Sequence, residues 1–280
     1  MAMFFRLPFF TILFLICFAV PASAVAAADP FPRVATSYFL KIQGNTVWSH
    51  NPDKRLAPAS LTKIMTALLT LEHGGLDDVV TVSRNATAET GTRIGLRAGY
   101  KMRVRDLLAA ALLQSANDAC HALADHVGKD EKRFVVLMNA RSKELGLRDT
   151  RFSNACGHDH PRHYSSAHDL AILAETALKD PTFQRLVSLE QLDVQTVNGK
   201  RTFHLRNKNE LIGRYQGVVG VKTGYTEKAG RCLIALAERD GVQVLLVLLH
   251  ARNRWKNADA MLDRAFSLAA ETVPGVEPEK

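Results

Sequence analysis

The chain is 280 residues long, 47% hydrophobic and 23% charged, with four cysteines, ten prolines and a formal net charge of +8. That composition excludes a disordered, collagen-like or disulfide-framework protein, and it supplies enough apolar chain for a core without covalent staples. Length alone allows one large domain or two small ones.

Residues 1–24 read as a secretory leader. Arg6 gives the positive start, and Leu7 to Val20 is a mostly apolar run of 14 residues, short for a membrane span of ~20. Pro21 ends the run. Ala22-Ser23-Ala24 offers a small-residue cleavage site and Ala26-Ala27-Ala28 a second, so the mature chain is expected to start near Val25 or Asp29. Losing Arg6 takes one positive charge away and leaves +7. The remaining cysteines, Cys120, Cys156 and Cys232, are odd in number and widely spaced, which is neither a disulfide framework nor a zinc-ligand pattern. Cys120 and Cys232 sit in apolar patterns and read as buried small hydrophobes. One pair could still oxidise after export. The basic residues are dispersed and not interleaved with aromatics, which argues against nucleic-acid binding.

Along the mature chain, Ala35 to Ile42 and Thr46 to Trp48, joined by Gln43-Gly44-Asn45, predict a β-hairpin. Leu61, Ile64, Met65 and Leu68 then recur at helical spacing until Gly74-Gly75. Further helices are predicted over Val104 to Leu113, Asp118 to Val127, Glu131 to Leu145 and Ser166 to Leu178. Strands return at Gly217 to Thr223, Cys232 to Glu238 and Val242 to His250, with tight connections that suit antiparallel neighbours. Lys256 to Ala270 is a closing helix. The pattern is α+β: an antiparallel sheet of about five strands built from both chain ends and flanked by helices, plus an all-helical lobe from the middle.

Three short motifs carry chemistry. In Ser60-Leu61-Thr62-Lys63, Pro58 suits a helix start, and the three-residue spacing puts Lys63 beside Ser60. A serine hydroxyl is a poor nucleophile until a base takes its proton, and a neutral lysine can be that base. In Ser115-Ala116-Asn117, between two apolar helices, a hydroxyl and a carboxamide can face one cleft; helix capping is the ordinary alternative for both residues. In Lys222-Thr223-Gly224, at a strand end, a cation and a hydroxyl can bind a carboxylate while the glycine lets backbone approach closely. Each motif is weak alone. The three together, in this order, match the S-x-x-K, S-D-N-like and K-T-G set of penicillin-binding proteins and class A β-lactamases.

With these motifs and the stretches LAPASLTKIMTALL (56–69), LLQSANDACHALADHV (113–128), HYSSAHDLA (163–171) and GVKTGYTEKAGRCL (220–233), the chain resembles the D-alanyl-D-alanine carboxypeptidase family of low-molecular-mass penicillin-binding proteins, over roughly Val34 to Phe266. Ala116, where β-lactamases usually carry Asp, fits the carboxypeptidase pattern. The resemblance implies a β-lactamase/transpeptidase-like fold and acyl transfer without metal or cofactor. Ser60 would attack the carbonyl between the last two D-alanines of a peptidoglycan stem peptide, with Lys63 as base and Ser115 passing the proton to the leaving amine. Lys222 and Thr223 would hold the terminal carboxylate and Asn117 the peptide chain. Gly224 belongs to the same wall, and the backbone N–H groups of Ser60 and Tyr225 would form the oxyanion hole. Tyr225 stands where some relatives have His. Arg206 or Lys208 could assist carboxylate binding. β-Lactams would be covalent inhibitors.

The histidines of the Cys156–His163 stretch invite a metal reading, but the stretch resembles a family loop where no metal is used, and Pro161 and Asp159 mark a turn, so no metal is expected. A DD-endopeptidase would use the same motifs. A β-lactamase needs a deacylating Glu, and Glu175 lies within a predicted helix without the accompanying Asn. A catalytically silent wall-binding module would not need all six motif side chains. After the closing helix, residues 271–280 are short, Pro-containing and acidic, with no apolar face for a bilayer, so a single catalytic domain over 29–270 with a short flexible tail and no membrane anchor is expected.

Overall fold

The computed structural model describes residues 29–272. The leader read at residues 1–24, both of its cleavage sites and residues 273–280 lie outside them. The expected hairpin is present as β1 (Ala35–Ile42) and β2 (Asn45–His50). The late strands are β7 (Val218–Thr226), β8 (Gly230–Arg239) and β9 (Val242–Ala251). Together they form a five-stranded antiparallel sheet in the order β2-β1-β9-β8-β7.

The central strands are apolar throughout because both faces are covered. Alternate side chains go to opposite faces of a strand, and a strand buried on both sides reads as a continuous hydrophobic run. On β9, Val244, Leu246 and Leu248 pack under α8 (Arg254–Thr272) with Met261, Leu262 and Ala265. Their neighbours Leu245, Val247 and Leu249 join the larger core on the other face. Helix α8 continues two residues past Ala270, into what the composition read as tail.

That larger core unites the sheet with the helical lobe: α1 (Lys63–His73), α3 (Val104–Leu112), α4 (Asn117–Gly128), α5 (Glu131–Glu144) and α6 (Ala167–Ala177). Asp130 and Ser166 cap α5 and α6 by accepting the free N–H groups of Arg133 and Asp169. Four strands and two helices were not anticipated. Strands β3 (Val79–Thr81) and β4 (Lys101–Arg103) pair with each other, as do β5 (Gln191–Gln195) and β6 (Thr202–Arg206). The helices are α2 (Arg84–Ala88) and α7 (Pro181–Ser188). Three residues are too few to show a period, which hides β3 and β4. Among the described residues the three cysteines, Cys120, Cys156 and Cys232, are free and buried, as expected for Cys120 and Cys232.

Candidate active site

The site lies where the helical lobe meets the free edge of the sheet at β7. Residues Ala59–Thr62 form a 3₁₀ turn running directly into α1, so Ser60 sits one turn before the α-helix. Ala59 takes a left-handed conformation (φ 49°), an unfavourable one for a residue with a Cβ. Two glycines press on this turn. A Cβ on Gly157 would lie 2.0 Å from the Ala59 carbonyl oxygen, and one on Gly224 would lie 3.0–3.2 Å from Pro58 O, Ala59 Cβ and Ser60 N. The expected close approach at Gly224 is therefore real, and its neighbour is the Ser60 turn.

Lys63 is fully buried. Its Nζ lies 3.0 Å from Ser60 Oγ, 2.7 Å from Asn117 Oδ1 and 2.6 Å from the Cys156 carbonyl oxygen. A neutral lysine amine has two N–H donors and one lone pair. In the protonated amine all three contacts are donated by Nζ; once the amine is neutral, with both N–H donors kept on Asn117 and Cys156, the lone pair is left to face the Ser60 hydroxyl. This is the geometry a proton acceptor for Ser60 needs.

The capping alternative for Ser115 and Asn117 fails. The N-cap of α4 is Ala116, without a side-chain cap bond. Asn117, the first residue of α4, instead gives its Nδ2 to Thr90 O (2.5 Å) and its backbone N–H to Thr92 O (2.7 Å), besides holding Lys63. The next residue, Asp118, accepts the N–H groups of Ile94, Gly95 and Leu96. Ser115 occupies a left-handed position (φ 61°), and among the described residues its hydroxyl has no hydrogen-bond partner.

Across the groove, Lys222 is 1% and Thr223 5% exposed, whereas Tyr225 is 61% exposed at the rim. Lys222 Nζ donates to the Thr223 carbonyl oxygen (3.0 Å). Burial, and then the positive charges of Lys63 and Arg254, push its pKa well below the ordinary lysine value. Arg206 and Lys208 are both exposed, and Lys208 is tied by its backbone N–H to Leu113 O. Arg254, at the start of α8, donates instead to Gly224 O and Cys232 O from behind β7.

Several supporting residues carried no motif. His163 is buried. Burial, with His160 and His158 nearby, lowers its pKa to about 4, so its ring is neutral. Its Nδ1 accepts the Ser153 N–H, which puts the proton on Nε2, 2.8 Å from Thr62 Oγ1. Thr62 in turn donates to Ala59 O, bracing the turn that carries Ser60. The histidines of this loop diverge rather than share one ion: His158 bonds Glu89, while His160 accepts the Arg162 N–H. Glu89, His121 and Glu131 do bring ligand atoms within 4.8 Å of one another. Those of Glu89 and His121 already bond each other, and Glu131 Oε1 accepts the Ala155 N–H.

The model of the D-alanyl-D-alanine carboxypeptidase family (peptidase S11) matches residues 30–253. The chain belongs to this family. It is 39% identical over 232 residues to the D-alanyl-D-alanine carboxypeptidase DacF of Bacillus subtilis, covering 80% of this chain and 59% of that protein. To DacC of Escherichia coli it is 32% identical, over 95% of this chain and 70% of the relative. The chain thus spans about three fifths of the length of the Bacillus carboxypeptidase. It matches a D-alanyl-D-alanine carboxypeptidase of Streptomyces sp. K15 more completely, at 31% identity over 92% of that protein. The crystal structure of the Streptomyces K15 DD-transpeptidase superposes with a TM-score of 0.81, covering 85% of this chain and 99% of the other at 31% identity. The penicillin-binding fold expected from the motifs is the fold observed.

Proposed function

We propose that the protein is an exported serine DD-carboxypeptidase that removes the terminal D-alanine from peptidoglycan stem pentapeptides through an acyl-enzyme, and that β-lactams inhibit it by acylating the same serine. The observation that carries this reading is the Lys63 amine, held by two acceptors with its third direction on Ser60 Oγ at 3.0 Å. Lys63 takes the Ser60 proton as Oγ attacks the carbonyl between the two D-alanines. Ser115, whose hydroxyl is uncommitted, relays the proton to the departing D-alanine amine. Lys222 and Thr223 receive the terminal carboxylate, and Asn117 lies along the peptide. The N–H groups of Ser60 and Tyr225 stabilise the oxyanion, an interaction worth about 3–4 kcal/mol per donor. Water then enters and hydrolyses the ester.

The leader at residues 1–24 supports a place outside the cytoplasm, in the periplasm or cell-wall space. Among the described residues no helix is long and apolar enough to cross a membrane. Glu175 lies within α6 and pairs with Lys41 of β1, which leaves it unsuited to the deacylating role a β-lactamase requires. A fluorescent penicillin should label the wild type and not Ser60→Ala. An unlabelled wild type would refute the enzyme, and a labelled Ser60→Ala would refute the site. Incubation with pentapeptide monomer and with crosslinked dimer then decides between carboxypeptidase and endopeptidase: the carboxypeptidase consumes the monomer and leaves the dimer.

A further inference from the structure

Behind the Lys63 pocket lies a cluster of charged groups that the chemistry above does not use. Glu89, at the end of α2, is 11% exposed in its side chain and His121 of α4 is 10% exposed. Glu89 Oε1 lies 2.6 Å from His121 Nδ1, and Glu89 Oε2 lies 2.5 Å from His158 Nε2. His121 Nε2 faces Asp125 Oδ1 at 3.5 Å, and Asp125 accepts the Ser83 hydroxyl. Glu131 of α5 faces the same imidazole, and Cys156 lies within the field of Glu89. Burial disfavours charge on both Glu89 and His121. That penalty, the largest single influence on each, is outweighed only by the partners together: His121 and His158 for Glu89, and Asp125, then Glu89, then Glu131 for His121. The carboxyl is held down to about 2 and the imidazole pushed up to about 10.

A buried ion pair is a weak source of stability, since desolvation offsets most of the attraction; its best-attested use is to fix one geometry. Here three chain segments meet on one carboxylate. Glu89 precedes Thr90 and Thr92, whose carbonyls hold Asn117. His121 lies one turn along α4 from Asn117. His158 lies two residues beyond Cys156, in a loop also fastened by Asn154, by Glu131 and Thr66 at Ala155, and by Thr226 at Asp159. Asn117 and Cys156 are the two acceptors that orient the Lys63 amine.

We propose that Glu89 is a positioning residue for the Ser60–Lys63 pair: by tying His121 on α4 to His158 on the Cys156 loop, it keeps Asn117 Oδ1 and Cys156 O in register around the Lys63 amine. This rests on Ser60 being the acylated nucleophile. It requires that loosening the tie slow the chemical step without weakening recognition.

The experiment is stopped-flow acylation by a fluorescent penicillin, separating the rate constant at saturation from the half-saturating concentration, on the full mature chain. Glu89→Ala should lower the saturating rate constant by roughly tenfold to a hundredfold, the scale of a small misplacement of reacting groups, with the half-saturating concentration moving less than about threefold. Glu89→Gln, which keeps one acceptor oxygen and the shape, should recover part of the loss. A purely structural role would lower the labelled fraction and the melting temperature and leave the rate constant of the folded protein untouched. That outcome, or a Glu89→Ala rate constant within about twofold of wild type, overturns the proposal. If Glu89→Ala does not fold, His158→Ala, which spares the Glu89–His121 bond, decides it: slower saturating acylation supports the tie and wild-type acylation refutes it. A wild type that never labels removes the Ser60 assignment itself, whereas labelled but unaffected variants remove only the role of Glu89.

Discussion

Two buried lysines face each other across the groove, and they are held in opposite ways. Lys63 has three oxygen partners from three segments of chain. Lys222 has, among the described residues, one: the carbonyl of the residue that follows it. Burying a cation without compensating partners is expensive, and the depressed pKa of Lys222 registers that expense. On the proposed mechanism, the contrast separates two tasks. A base must be aimed before substrate arrives, so its surroundings are complete. A carboxylate receptor leaves its strongest interaction to the ligand, so its surroundings are incomplete, and the incoming anion supplies what the fold withheld.

The contrast can be broken most forcefully at the complete end. Lys63→Ala should reduce the rate of penicillin acylation by roughly a hundredfold to ten-thousandfold, the range of a positioned general base. Labelling kinetics at saturating drug read this directly, and near-normal rates would end the assignment of Lys63 as base.

The incomplete end should respond differently. Lys222→Met should lower kcat/KM for a D-Ala-D-Ala peptide by roughly a hundredfold, as expected for losing one partner of a desolvated charge pair. An amidated substrate without the terminal carboxylate should be nearly indifferent. The same substitution should raise the melting temperature of the free protein by about 2–4 °C, because methionine fills the site without the cation's desolvation. This gain has a defined pH dependence. Between the depressed folded pKa and the ordinary value of 10.5, the unfolded chain binds a proton that folded Lys222 does not, so wild-type stability rises with pH relative to the variant. The advantage of Lys222→Met should therefore shrink as pH climbs toward 10.5. A lower melting temperature for the variant would mean that Lys222 already has the partners it needs.

A further pH dependence lies behind Lys63. His121 has its pKa raised from 6.5 to about 10, so its stabilising charge is fully present below 6.5 and lost as pH rises through 10. Wild type should lose more stability between those limits than His121→Gln, as thermal melts across the window would show. Parallel slopes would show that His121 titrates alike in the folded and unfolded chain.

Much of this contrast was legible in the residue order. The Ser60–Lys63 spacing and Gly224 gave the right neighbours because they depend on local periodicity and on the absence of a side chain. The sheet core was legible because β8 and β9 are apolar on both faces. Helix α7 also had a local signal, since Asp180 caps it and Pro181 opens it, and Asn198-Gly199 marks the turn between the alternating strands β5 and β6. Glu89, His158 and His163 were not legible as support. Their partners lie 32, 69 and 101 residues away along the chain, and only tertiary packing brings them together. His121 and Asp125, four apart on α4, were the one local hint of that cluster.

On the proposed function, the two glycines against the Ser60 turn also bear on how the protein can change under antibiotic pressure. A Cβ on Gly157 would collide with the Ala59 carbonyl and one on Gly224 would press on the same turn at 3.0–3.2 Å, so substitutions that narrow the groove beside Ser60 would push on Ser60 as well. Adaptive routes that preserve catalysis are thereby steered outward, to exposed Tyr225 and to the exposed Thr226–Asp159 bond at 2.7 Å. Selection for drug escape in this protein should therefore rewrite the entrance and spare the walls.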